Sequence, residues 1–270
     1  MSDFSHIRQI VFNRPWAIQE DKLDVIAEVI IQASTDFAAG KTPTKPPARP
    51  SSLRIQDGVP VIEVDGVISK KMNMFSDVSG GTSIDQLSGQ FDDAMATDAN
   101  AVIFNIHSPG GSIDGVDEFA QRVFDARNGN KTIIALADNQ AASAAYWIGS
   151  QADEFYVTSG GSAGSIGVVA RILDNTRMLK NAGIDPLVIR SGDLKAPGIG
   201  PLSPDQENSV VKEVMTYAQM FYGAVQRGRP LLNIDDVKRG QMFVGQEAVQ
   251  VGLADGITTL TALVKRYRKP

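Results

Sequence analysis

The chain has 270 residues, 43% of them hydrophobic and 21% charged, with a formal net charge of −5. That size and balance suit one large domain with a sizeable core, and the acidic excess argues against nucleic acid as a principal partner. Cysteine is absent, which excludes disulfides, thiolate metal sites and a cysteine nucleophile.

Residues 1–40 read as an N-terminal extension. Within it, Leu23, Ile26, Val29, Ile30 and Ala33 recur at helical spacing, so residues 21–37 are expected to form an amphipathic helix docked on the body or on a neighbouring subunit. Trp16 is expected to pack this arm onto the body. The most apolar early run, residues 25–31, is short and interrupted by Glu28, and the first twenty residues lack the layout of a secretory leader. No stable membrane anchor is expected. Residues 41–54 form a proline-rich linker, because Pro43, Pro46, Pro47 and Pro50 forbid a helix. The body is then residues 55–270.

In the body, strands alternate with helices. Residues 59–68, 101–107, 132–137, 154–158, 166–172 and 186–190 read as strands. Residues 83–96, 113–128, 141–151 and 176–182 read as helices. Such βαβ succession favours a largely parallel sheet with helices packed on it. Residues 70–82 read as a loop whose Met72, Met74 and Phe75 either line a groove or pack beneath it. Residues 204–227 are the longest helical candidate, with Ser203 as N-cap, Asp205 in the first turn and an apolar surface at Met215, Ala218, Met220, Phe221 and Val225. The basic residues near the end, Lys265 to Lys269, read as a solvated tail.

Three places could carry chemistry. The strand at 101–107 stops at Ser108-Pro109-Gly110-Gly111-Ser112. Its glycines permit unusual backbone angles and expose N–H groups with no side chain in the way, although a plain strand-to-helix turn capped by Ser112 fits too. Ser143 lies among small residues, Ala141-Ala142-Ser143-Ala144-Ala145, where a strand gives way to a helical run. A nucleophilic serine needs such a junction, and so does tight helix packing. Lys195 lies in a loop punctuated by Gly192, Pro197 and Gly198. Desolvation would turn it into a general base; otherwise it is a solvated charge. Residues 160–165 are glycine-rich but lack the Gly-Lys-Ser/Thr ending of a phosphate loop, and with Gly167 they read as a turn-rich wall beside the reactive site. His6 and His107 are the only histidines, so zinc catalysis is not expected.

These segments together resemble peptidase family S49, the signal peptide peptidase A and phage protease C group. The resemblance runs from Pro60-Val61-Ile62-Glu63-Val64-Asp65-Gly66-Val67-Ile68 through the Ser-Pro-Gly-Gly turn and Ala-Ala-Ser-Ala-Ala-Tyr-Trp. It continues through residues 158–168, Ser191-Gly192-Asp193-Leu194-Lys195 and residues 243–255. It implies an α/β fold of the crotonase/ClpP-like superhelix type, built of βαβ units, with an N-terminal helical extension. It implies a serine endopeptidase with Ser143 as nucleophile and Lys195 as general base. Gly111, with Gly110, and the N–H of Ala144 would form the oxyanion hole. No cofactor and no metal are implied. The opening Phe12 to Ile18 also looks like the start of phage-type members. The implied partners are polypeptide substrates (capsid, scaffold or portal proteins) and further copies of the chain in a homo-oligomer. The implied place is the host cytoplasm or a phage procapsid. Alternatives on the same fold are a cellular signal-peptide-degrading peptidase, a crotonase-class acyl-CoA enzyme and a non-catalytic assembly protein. His107 departs from the Asn or Asp that many relatives carry. It opens a Ser143/His107 triad oriented by Asp138 or Asp114, against the simpler reading in which His107 and Ser108 shape the site.

Overall fold

The computed structural model describes residues 15–19, 23, 53–71, 81–172, 174, 176–185, 187, 189–195 and 201–269. The expected helix at 21–37, the linker and the loop at 72–80 lie outside these residues, apart from Leu23, Leu53 and Arg54. In chain order, β1 (Pro15–Ile18), β2 (Arg54–Gln56), β3 (Val59–Asp65), β4 (Val67–Ser69) and β5 (Gly81–Ser83) precede α1 (Ile84–Ala96). Then come β6 (Ala101–Ser108), β7 (Gly110–Ser112), α2 (Val116–Asp125), β8 (Thr132–Ala142) and α3 (Ala144–Gly149). Next are β9 (Glu154–Val157), β10 (Ser162–Gly164), β11 (Val169–Ala170), α4 (Thr176–Asn181) and α5 (Pro204–Gly228). The last elements are β12 (Met242–Val244), α6 (Gln246–Gln250), β13 (Gly256–Ile257) and α7 (Leu260–Tyr267).

Among the described residues the larger sheet runs β12-β10-β8-β6-β3-β2, with β9 beside β8 and β13 beside β9. Its centre, β3, β6 and β8, is parallel, with α1 and α2 in the crossovers. This is the expected α/β architecture. The apolar run of β6 is continuous because both faces of the strand are buried. Phe104 faces one way and stacks with Phe91 of α1 and edge-on with Phe119 of α2, at 5.7 and 6.2 Å between ring centres. Ala101 and Ile103 face the other way, against Ile134, Leu136, Leu263 and Val264, so α7 covers the second face.

Ser203 caps α5 as expected, in a reciprocal box with Gln206, which satisfies two otherwise orphaned N–H groups. Of the apolar surface expected on α5, Ala218, Phe221 and Val225 are buried, whereas Met215 and Met220 are exposed. Phe221 stacks flat on Trp147 of α3 at 4.6 Å. Beside it, Tyr146 is fully buried and donates to the Leu253 carbonyl at 2.9 Å. Burial pushes its phenol well above the ordinary range, so the donor stays protonated. Two aromatic residues thus bolt α3 to the rest of the domain.

The structure departs from the periodicity in five places. The expected strand at 59–68 breaks at Gly66 into β3 and β4, which lie in different sheets. Residues 141 and 142 continue β8 instead of opening the helix, because Gln140, Ala141 and Ala142 pair with Ser162, Ala163 and Gly164 of β10. Sheet pairing overrides the helix preference of alanine there. The expected strand at 166–172 shrinks to β11, while β10 forms in the glycine-rich stretch that reads as turn. Helix α2 starts at Val116 behind Gly115, because Ser112 is drawn into β7. Leu187 and Ile189 are each 86% exposed and carry no regular structure; a strand needs a neighbouring edge, and none covers them among the described residues.

Candidate active site

Strand β8 divides its pairing. Ile134 to Ala137 pair with β9, and Gln140 to Ala142 pair with β10. The strand therefore ends between β10 and the smaller sheet, and the next residue must turn sharply into α3. That residue is Ser143, at φ 55 and ψ −119. A non-glycine residue rarely occupies this region, and a strained backbone persists only where its surroundings impose it. The surroundings do impose it. The Ser143 N–H donates to the Gly164 carbonyl at 2.9 Å, and its carbonyl accepts from the Trp147 N–H at 2.8 Å. Its hydroxyl faces the Gly167 carbonyl at 3.4 Å, and the whole residue is inaccessible to solvent. Ala144 opens α3, so its N–H has no acceptor within the helix.

The glycine turn lies directly against this serine. Gly110 has φ +99, and a methyl group on it would come within 2.9 Å of Ser143 Cβ and 3.0 Å of the Ala142 carbonyl oxygen. Only glycine admits the backbone that closely. Gly110 donates its N–H to Ser108 Oγ at 3.2 Å, and Ser108 donates onward to the Gly66 carbonyl at 2.6 Å. Ser108, fully buried, thus holds the turn in shape, and Gly110 supplies close approach instead of a free donor. Gly111 follows in register with Ala17 and Ile68. Gly110→Ala is expected to destabilise the protein by about 1–3 kcal/mol through the positive φ and the crowding at Ser143. Urea unfolding of the two proteins measures it; equal midpoints would contradict this account of the turn.

The remaining sequence candidates are more scattered. Lys195 is exposed, and its N–H donates to the Gly192 carbonyl at 3.1 Å in a turn. That turn is tied to the start of α5 by Gln206 Nε2, which donates to the Asp193 carbonyl at 2.7 Å. Among the described residues no hydrogen bond joins Lys195 to Ser143. His107 is half-exposed, with Nδ1 3.8 Å from Asp65 and Nε2 3.1 Å from Asn139 Nδ2. Its carboxylate neighbour is therefore Asp65, and neither Asp138 nor Asp114; Asp114 accepts from Ser112 Oγ instead. The glycine-rich stretch that reads as a turn-rich wall beside the site does border Ser143, through the carbonyls of Gly164 and Gly167. There Ser165 and Gly164 both take positive φ, and a Gly164 side chain would strike the Gln241 carbonyl oxygen at 2.4 Å. The repeated glycines at 164 and 167 were the available signal.

Among the described residues no cluster of His, Asp and Glu could hold a metal ion, and no helix is long and apolar enough to cross a membrane. The arrangement suits covalent chemistry: an enclosed hydroxyl at a helix start, next to the Ala144 N–H that has no acceptor within the helix.

Comparison with known proteins points the same way. The sequence model of peptidase family S49 matches residues 125–270, more than half of the chain. Protease 4 of Haemophilus influenzae is 26% identical, over 83% of this chain and 36% of that protein. The head-tail preconnector protein GP5 of Enterobacteria phage P21 is 29% identical, over 83% of this chain and 44% of that protein. The capsid assembly protease C of Escherichia phage lambda is 23% identical, over 99% of this chain and 66% of that protein. The chain thus spans between 36% and 66% of the length of these relatives.

Proposed function

We propose, because this chain belongs to peptidase family S49, that it is a serine endopeptidase with Ser143 as nucleophile and Lys195 as general base. The observation that carries the reading is the strained, enclosed Ser143 at the start of α3, pressed against the Gly110 turn. Neutral Lys195 takes the Ser143 proton as Oγ attacks the scissile carbonyl. The resulting oxyanion is met by the N–H groups of Ala144 and Gly111, with Gly110 and Ser108 setting the turn. The C–N bond then breaks as the lysine ammonium returns its proton to the leaving amine, and water hydrolyses the acyl-enzyme. Lys195 lies in an exposed turn, so it reaches Ser143 by movement of that turn or from a neighbouring copy in a homo-oligomer.

The substrates are head proteins of a phage or prophage (capsid, scaffold or portal), processed in the host cytoplasm or the procapsid. Two similar proteins, the capsid assembly protease C of phage lambda and the head-tail preconnector protein GP5 of phage P21, support this choice. Treatment of the full chain with a small fluorophosphonate, followed by peptide mapping, is expected to place the adduct on Ser143. An adduct on another serine, or none after prolonged exposure, would remove the peptidase reading.

A further inference from the structure

We propose that β1 is a built-in occupant of the substrate channel, and that a substrate polypeptide enters by replacing it strand for strand. This rests on the reading of Ser143 as nucleophile. It starts from a contradiction: a residue that must meet a polypeptide has no accessible surface at all.

The cover includes the chain's own start. Strand β1 lies between β7 and β11 and pairs antiparallel with both. Ile18, Ala17 and Trp16 pair with Gly110, Gly111 and Ser112, the same strand that bears the glycine turn. On the other side, Trp16 and Pro15 pair with Val169 and Ala170. A methyl group placed on Gly110 would meet the Ala17 carbonyl oxygen at 2.3 Å and Ser143 Cβ at 2.9 Å, so the β1 backbone passes directly beside the serine. Gln19 prolongs the contact, donating its N–H to the Pro109 carbonyl at 3.1 Å.

Neighbouring strands lie about 4.8 Å apart, so β7 and β11 are spaced to take one extended strand between them. With β1 removed they present two facing unpaired edges, the geometry by which a sheet captures a peptide. The side chains fit the same picture. Trp16 and Ala17 are wholly buried, and a small residue lies opposite Gly111. Ile18 lines a cleft of about 390 Å³ with Ile166, Gly167, Val169 and Met215, and Gly167 is the residue whose carbonyl faces the Ser143 hydroxyl. The channel therefore favours an extended segment reading aromatic, small, aliphatic. In sequence, β1 is separated from β2 by the proline-rich stretch, so it competes as a tethered ligand at high effective concentration. A substrate then sees its affinity reduced by the fraction of time the channel is open.

The absence of cysteine allows a clean test. Pro15→Cys with Ala170→Cys joins two residues paired in register across β1 and β11, in a chain with no other thiol. In the Ser143→Ala background, binding of a labelled peptide with the sequence of residues 13–19 is followed by fluorescence anisotropy. The reduced protein is expected to bind the peptide, and oxidation to weaken it by roughly tenfold or more. Trp16→Ala, which loosens the internal strand, is expected to bind the peptide more tightly than the unmodified chain; a purely structural tryptophan would do the opposite. Equal binding in both redox states, no binding in either, or weakened binding by Trp16→Ala each overturns the proposal. If binding follows the tether while Ser143 takes no fluorophosphonate in any variant with the serine intact, strand replacement stands and the peptidase reading falls.

Discussion

Ser143→Ala is expected to reduce peptide hydrolysis by about 10⁴-fold or more, because removing the nucleophile leaves only binding and backbone donors to act on the carbonyl. The protein should still fold. Alanine keeps the same backbone demand, and among the described residues the hydroxyl's one hydrogen-bond partner is the Gly167 carbonyl, at a long 3.4 Å. Ser143→Gly separates function from strain more sharply. At φ 55 a side chain costs roughly 1–3 kcal/mol, which glycine does not incur. Ser143→Gly should therefore be as inactive as Ser143→Ala yet more resistant to urea. If it unfolds at lower urea than the serine protein, the backbone angle at this position is not strained. If Ser143→Ala keeps ordinary turnover, the nucleophile lies elsewhere.

Lys195→Ala is expected to reduce turnover by about 10²–10⁴-fold, the range for loss of a general base, whereas His107→Asn should stay within a few-fold of the original. Geometry argues for this order even though Lys195 is exposed. Both nitrogens of His107 face groups other than Ser143: Nδ1 is beside Asp65, and Nε2 is beside Asn139. A histidine held so must give up its contacts with Asp65 and Asn139 before it can take the serine proton. Lys195, by contrast, lies in a turn that, among the described residues, is anchored from outside by one side-chain hydrogen bond, from Gln206. In the proposed mechanism that segment shifts toward the serine or is supplied by an adjoining chain. Kinetics on the two variants decide between lysine and histidine; loss with His107→Asn and survival with Lys195→Ala would reverse the assignment. Mixing inactive Ser143→Ala with inactive Lys195→Ala then asks where the lysine comes from. Activity returns only if serine and lysine meet between chains.

The legible parts of this protein were those encoded by neighbours in sequence. The apolar run of β6, the helices α1 and α2, and the Ser203 N-cap of α5 all rest on residues within a few positions of one another. Local chemistry made Ser143 and the Gly110-Gly111 turn candidates with bland alternatives, and the order and spacing of the segments in the resemblance to family S49 chose between them. The glycine-rich stretch at 160–165 was misleading for the opposite reason. Its composition reads as turn, but its edges are claimed by β8 and β12 from far along the chain. The same pairing with β10 held Ala141 and Ala142 extended against their own preference and so moved the start of α3 to the serine itself.

By itself, the sequence determined the α/β alternation, because periodicity is a property of a few adjacent residues, and its ordered segments carried the resemblance to family S49 that picked out the hydroxyl proposed to react. Only the tertiary structure decided that Ser143 would be strained, that Gly110 would press against it, and that four residues from the extreme N-terminal part would lie across the same groove. Those outcomes depend on which strand edges meet, and a strand's hydrogen-bonding edge is backbone, identical whatever the sequence, so its partner cannot be read from its own side chains.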